Sequence, residues 1–288
     1  MDNKPKAVAL MLASALFFAF MGAMVKKAGN LPVFEKVFFR NLISLIVAFS
    51  VVRKSGSKMF GKKENQGYLL ARSLMGLLGV ILYFYAISNM YLADSAMLNK
   101  LSPFFVTLFA CLFLKEKLSK IQIPALIVVF IAVLLIIKPR FDFSIVPALA
   151  GFISAVFAGA AYTLVRFLKD KEEPSTVVFY FSFVSVVGML PLMLLNFKVP
   201  TVMQLVYLLS TGVFAAFAQF SLTIAYKYAP ASEIAIYNYS NIIFSAIIGF
   251  FIWNEIPDKM SIVGGIIIIV TAMLVYLYNK NIDCKDKQ

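Results

Sequence analysis

Two basic residues lie inside apolar stretches of the sequence, where charged side chains are rare. Arg40 belongs to the second long apolar run of the chain and Lys100 to the fourth. A charge near the centre of a bilayer costs about 2.5–3.5 kcal/mol or more, so such residues face a partner or a ligand. We expect Arg40 and Lys100 to bind a ligand. The alternatives are pairing with Glu35 or Asp94, respectively, and snorkelling to the membrane surface.

A second group of hydrogen-bonding side chains lies in the ninth apolar run. Tyr237 and Asn241 are four residues apart and Asn238 follows Tyr237, so one helical face carries all three. They suit a binding site, although Asn side chains also hydrogen-bond between helices in lipid. The remaining candidates are polar or aromatic residues of other runs: Asn99, Tyr83, Tyr162 and Gln219.

The composition is that of an integral membrane protein. Hydrophobic residues make up 61% of the 288 residues, whereas soluble domains contain about 45–50%. Ten apolar runs have about the 20 residues that cross a bilayer as a helix. They are 7–25, 33–52, 67–89, 94–114, 121–137, 145–166, 175–195, 202–226, 232–253 and 259–278. We therefore predict an all-α integral membrane protein with ten transmembrane helices.

One stretch of the chain is present twice. Residues 86–135 align without a gap with residues 225–274, at an offset of 139, and Asn99 aligns with Asn238. Each copy contains an acid, an apolar helix with one Asn near its start, a Glu at the far end and another apolar helix. Internal symmetry of this kind is typical of transporters. It also favours a binding role for the two aligned asparagines.

The alignment divides the chain into residues 1–140 and 141–288, with five helices in each half. Eighteen of the 27 Lys and Arg residues, Arg72 among them, fall at helix ends and turns on the side of the N-terminus, and seven fall on the other side. Basic residues favour the cytoplasm, so we predict that both termini are cytoplasmic. Because five is odd, the second half enters from the opposite side. The repeats are then inverted, with the substrate path between them near the midplane.

The repeated module also matches a known family in the spacing of its residues. The first copy, 82–119, contains Ala86, Pro103 and the run Leu-Lys-Glu-Lys-Leu at 114–118, and the second copy ends at Glu255. In the spacing of these residues, the whole chain resembles the EamA-like family of the drug/metabolite transporter (DMT) superfamily. The resemblance implies two EamA-like repeats of five helices and the transport of a small molecule.

The second copy departs from the family pattern at one position. We expect Pro103 to free a backbone carbonyl and bend the fourth helix. Ile242 stands at the matching position of the second copy, so we expect the ninth helix to be straighter than the fourth. We expect Glu116 and Glu255, which end these two helices, to lie beside turns that water reaches.

The composition excludes several functions. A metalloprotease of the H-E-x-x-H type needs histidine, and the chain has 0 His. We therefore predict no enzyme activity, no metal and no cofactor. The net charge of +13 fits basic cytoplasmic loops, so we expect no nucleic acid as partner. A lipid-handling or flippase-like protein remains as the alternative to a metabolite transporter.

The predicted function is secondary transport of a small polar or amphipathic metabolite by alternating access. Arg40 and Lys100 have no acid at an equal depth, which favours an amino acid or another carboxylate-bearing substrate, unless Asp94 or Glu233 neutralises Lys100. The expected location is the cytoplasmic (inner) membrane. The expected partners are the substrate and the lipid bilayer, and a homodimer is left open.

Overall fold

The computed structural model describes residues 4–114, 121–137, 145–168, 171–228 and 234–285. These residues form α-helices and short 3-10 helices, with no β-strand among them. The α-helices are α1 (Lys4–Lys27), α2 (Val33–Ser55), α3 (Gln66–Asn89), α4 (Leu92–Asn99), α5 (Ser102–Leu114), α6 (Gln122–Ile137), α7 (Val146–Leu168), α8 (Pro174–Leu195), α9 (Val202–Tyr228), α10 (Ser240–Trp253) and α11 (Lys259–Lys285). The 3-10 helices are Lys63–Asn65 and Ala235–Tyr239.

Seven helical stretches in the described part are long and apolar enough to cross a membrane. They are Lys4–Lys27, Lys63–Asn89, Leu92–Phe113, Val146–Leu168, Pro174–Leu195, Val202–Leu222 and Lys259–Tyr278, and Ile123–Ile137 is apolar but shorter. Helix α2 is long enough but carries Glu35, Lys36 and Arg40 in its first half. The structure is therefore that of an all-helical membrane protein, and the count of ten spans stays a prediction.

The fourth predicted span is interrupted between α4 and α5. The N–H of Lys100 still bonds to the carbonyl of Ala96, but the N–H of Leu101 reaches back only three residues, to Leu98. Pro103 occupies the second position of α5, where its missing N–H does no harm. The bend that we predicted at Pro103 therefore lies just before it, since the residues that precede a proline leave the helical conformation most easily.

The ninth predicted span is interrupted too, which corrects our expectation of a straighter helix. The 3-10 helix Ala235–Tyr239 precedes α10, and the N–H of Ser240 bonds to the carbonyls of Tyr237 and Asn238. Ile242 lies beyond this segment, inside α10. The segment contains neither Pro nor Gly, so the two residue types that usually mark such a break were not there to predict it.

The helices pack in pairs drawn from distant parts of the sequence. The most extensive pairs are α1 with α9, α3 with α7, α2 with α8 and α6 with α11, and α4 packs less extensively against α10. Two of the closest approaches occur at glycines. A Cβ on Gly159 would overlap Phe105 on α5, and a Cβ on Gly212 would lie 2.5 Å from that of Ile43 on α2. Small residues at these positions allow helix backbones to approach closely, as membrane helices require.

Glu255 lies in a buried cluster, contrary to our expectation that water reaches it. Its side chain is 10% exposed and forms an ion pair with Lys26 of α1. Lys26 also donates to the carbonyl of Met90, at 2.7 Å, and the N–H of Leu92 donates to Glu255 Oε2, at 2.9 Å. Glu255 thus satisfies a free N–H in the first turn of α4. Glu116, its counterpart in the first half, lies outside the described residues.

Candidate functional site

Lys100 and Asn238 lie at the two interruptions and contact each other there. The Lys100 ammonium donates to Asn238 Oδ1 at 3.2 Å. Lys100 follows the last residue of α4, whereas Asn238 belongs to the 3-10 helix before α10. We call these two residues the lysine site. Lys100 bonds to an amide rather than to Asp94, which we had considered as its partner.

Two further predicted residues lie beside the lysine site in the sequence. Asn99 ends α4, and Tyr237 belongs to the same 3-10 helix as Asn238, with 36% of its surface exposed. In a continuous helix the N–H of residue 103 would donate to the carbonyl of Asn99, but Pro103 has no N–H. The interruptions therefore bring polar side chains and freed backbone carbonyls to one level of the α4–α10 pair.

A second cluster forms around the ring of Phe181 on α8. The guanidinium carbons of Arg72 and Arg40 lie 4.1 Å and 5.8 Å from the centre of this ring. Tyr162 on α7 lies in the neighbourhood of both arginines. We call Arg40, Arg72, Phe181 and Tyr162 the arginine cluster. Arg40 and Tyr162 were predicted site residues.

Arg72 is the functional candidate that the sequence analysis missed. It was counted with the basic residues of the inner side, but the structure places it in α3, more than one turn from its start. Its depth in the third apolar run was the signal that could have identified it. No feature of the sequence predicts the contact of Arg72 with Phe181, because Phe181 is one of 29 phenylalanines.

The other predicted residues have different surroundings. Asn241 donates to the carbonyl of Ala15 at 2.9 Å and is 2% exposed, so it links α10 to α1. Tyr83 packs against an apolar cluster that includes Phe181. Gln219 is a partly buried residue of α9.

Two cavities lie on the sides of the helix bundle and contain no predicted site residue. One, of about 890 Å³, lies between α2, α3 and α7 and is bordered by Phe34, Tyr85 and Lys198. The other, of about 310 Å³, lies between α2 and α8 and is lined by apolar side chains and Ser50. In the described residues no group of His, Cys, Asp or Glu has the arrangement of a metal site.

Comparison with known proteins gives the chain its family. The model of the EamA-like transporter family matches residues 5–138 and again residues 146–277. This chain belongs to the EamA-like transporter family. It is 36% identical to a pseudopaline exporter of Pseudomonas aeruginosa over 95% of this chain and 96% of that protein. It is also 28% identical to an S-adenosylmethionine uptake transporter of Rickettsia bellii, over 86% of this chain and 85% of that protein.

A solved crystal structure has the same fold. It superposes with a TM-score of 0.69 over 97% of this chain and 99% of that chain, at 15% sequence identity. Together these findings confirm the predicted family and the prediction that the chain is a transporter and not an enzyme. The EamA-like chain is a multi-pass membrane protein whose ligand is a small molecule.

Interrupted helices have a recognised use in such transporters. Substrate sites of secondary transporters lie where membrane helices are discontinuous, since free backbone groups and polar side chains are available there. The lysine site of this EamA-like transporter has this arrangement, with one residue from each interrupted span. It is therefore the better-supported of the two clusters as a binding site.

Proposed function

We propose that this EamA-like protein is a secondary transporter that moves a carboxylate-bearing metabolite by alternating access. The observation that carries the proposal is the lysine site. Lys100 is 8% exposed, and its partner is the neutral amide of Asn238. Among the described residues, which do not include Glu233, the neutral partner leaves the charge of the buried ammonium uncompensated, and an acidic group of a substrate would compensate it.

The two relatives support a metabolite as substrate. One is named an exporter and the other an uptake transporter, so the two names cover both directions of transport. The substrate of the uptake transporter is a methionine derivative by its name. An amino acid or a related carboxylate therefore suits this chain.

We further propose that the chain consists of two inverted repeats, residues 1–140 and 141–288, each with five spans. In order along the chain, α1 and α3 are the first and third spans of the first half, and α7 and α9 are the first and third spans of the second half. Exchanging the two halves therefore converts the α1–α9 pair into the α3–α7 pair. The pairs α2–α8, α4–α10 and α6–α11 each convert into themselves. This regularity and the two matches to the family model support the repeat. Alternating access would then follow from rocking of one half against the other.

The proposed location is the cytoplasmic membrane, with both termini in the cytoplasm. The excess of basic residues on the side of the N-terminus supports this orientation. Ser57 would then face the cytoplasm. An impermeant thiol reagent should leave Ser57→Cys unlabelled in intact cells when Cys284 is replaced, and efficient labelling would reverse the orientation.

Uptake into proteoliposomes tests the proposed function. A panel of labelled amino acids, dicarboxylates, S-adenosylmethionine and quaternary ammonium compounds would be measured with and without a pH gradient. We expect transported compounds to carry a carboxylate, because the lysine site offers a positive charge. Transport confined to permanent cations without a carboxylate would contradict the proposal, and movement of labelled lipid alone would favour the flippase-like alternative.

A further inference from the structure

Arg72 and Arg40 approach the same aromatic ring from two different helices. Arg72 lies on α3 and Arg40 on α2, whereas Phe181 lies on α8. Gly76 leaves room for this arrangement, since a Cβ there would lie 3.0 Å from Phe181 Cε2 and 3.5 Å from Arg72 Nη1. Three helices thus hold two guanidinium groups against one ring.

The guanidinium groups have buried nitrogen atoms without hydrogen-bond partners. These atoms are Nε and Nη1 of Arg72 and Nε of Arg40. Nη1 of Arg40 donates to Asn41 Oδ1 at 2.6 Å, but neither arginine forms an ion pair with a described carboxylate. Glu35, which we had considered as a partner of Arg40, instead accepts from the N–H of Lys198 at 3.5 Å.

Stacking on Phe181 compensates these charges only in part. A desolvated cation–π contact recovers only part of the free-energy cost of burying an ion. The two arginines also lie close enough to repel each other. A bound anion would remove both penalties, because guanidinium groups bind carboxylates through paired N–H donors.

The cluster is not sealed inside the helix bundle. Arg40 and Arg72 are partly exposed, and Tyr162 beside them exposes 50% of its surface. On α8, Ser185 lies one turn beyond Phe181 on the same face and has a buried hydroxyl without a partner. The cluster therefore offers unused donors beside an accessible phenol.

We propose that Arg72, with Arg40 and Phe181, forms a second subsite that binds an acidic group of the substrate. The subsite is separate from the lysine site, since α2, α3 and α8 hold it whereas α4 and the 3-10 helix before α10 hold Lys100 and Asn238. This proposal rests on the proposed function and makes it more specific. The preferred substrate carries two acidic groups, one for each site.

Succinate and its neutral diamide, succinamide, test the subsite on the purified full-length protein. Thermal unfolding would be followed at matched ionic strength while each compound is titrated. We expect succinate to raise the unfolding temperature and succinamide to have no such effect. Arg72→Met should weaken the apparent binding of succinate by at least ~10-fold, because it removes charge-assisted hydrogen bonds. Arg72→Lys should restore part of it, since lysine keeps the charge but not the paired donors.

Arg53→Met is the matched control. Arg53 also lies over an aromatic ring, that of Phe49 at 5.2 Å, but at the exposed end of α2. The Arg53→Met protein should bind succinate as the wild type does. If Arg72→Met does not fold, Arg40→Met and Arg72→Lys provide the same comparison. A wild type that responds equally to both compounds, or an Arg72→Met protein with unchanged succinate affinity, would overturn the subsite.

The two proposals fail in different ways. Transport that survives Lys100→Met contradicts the proposed function whatever the response of Arg72→Met to succinate. A response to succinate that survives Arg72→Met contradicts only the subsite, and leaves the lysine site as the place where the carboxylate binds.

Discussion

Two asparagines three positions apart have different hydrogen-bond partners in this protein. Asn238 accepts a hydrogen bond from Lys100, whereas Asn241 donates one to the carbonyl of Ala15. The sequence placed both on one polar face and could not separate the asparagine that contacts a charged side chain from the one that contacts a helix backbone. The separation depends on which helix faces each residue, and that is decided by packing over a sequence distance of 226 residues for Asn241.

This difference predicts separate effects of two alanine substitutions. Asn241→Ala should lower the free energy of unfolding by about 1 kcal/mol, since hydrogen bonds between membrane helices contribute about 0.6–1.7 kcal/mol. Asn238→Ala should change stability less and reduce transport more. Denaturant unfolding and proteoliposome uptake on the same two preparations measure both effects. The opposite pattern, with transport lost only in Asn241→Ala, would exchange the two assignments.

The sequence predicted part of the candidate site at this scale. Arg40 and Lys100 could be identified because each charge lies inside an apolar run, and both lie in clusters that the structure describes. Arg72 was missed because it lies near one end of its run. Phe181 could not be predicted, since nothing in the sequence distinguishes a phenylalanine that faces a guanidinium group from one that faces lipid.

At the scale of helices, the lysine site and the Lys26–Glu255 ion pair lie at helix breaks and ends. The sequence predicted a bend near Pro103, but not the 3-10 helix Ala235–Tyr239 or the burial of Glu255. Glu255 connects α1, through Lys26, to the start of α4, through the N–H of Leu92. A carboxylate at the beginning of a helix is favourable both for the helix dipole and for its free N–H groups.

The buried position of Glu255 predicts a non-additive effect on stability. Glu255→Gln should destabilise the protein by up to about 3 kcal/mol, because the charge of Lys26 is then left without its partner. The double variant Lys26→Met/Glu255→Gln should be less destabilised than the sum of the two single variants. A double-mutant cycle of unfolding free energies measures this coupling, and a coupling energy of zero would show that water, not Glu255, compensates Lys26.

At the scale of the whole molecule, the composition and one short module predicted the class and the family of the protein. Hydropathy indicated a helical membrane protein, and the module at 82–119 indicated the EamA-like family that the comparisons confirm. The sequence could not predict the depth of each side chain in the bundle or the packing partner of each helix, because both depend on how ten predicted spans pack. The pairing of α4 with α10 brings Lys100 and Asn238 together from residues 138 apart.

The central claim is that Lys100 binds the carboxylate of a transported metabolite. Its most direct test is counterflow, in proteoliposomes, of the best carboxylate from the uptake panel by wild type, Lys100→Met and Lys54→Met. Methionine keeps the bulk of lysine and removes the charge, and Lys54 is an exposed residue at the end of α2. We predict that Lys100→Met lowers counterflow by at least ~10-fold, while Lys54→Met transports like the wild type. Unchanged counterflow in a folded Lys100→Met protein would contradict the claim.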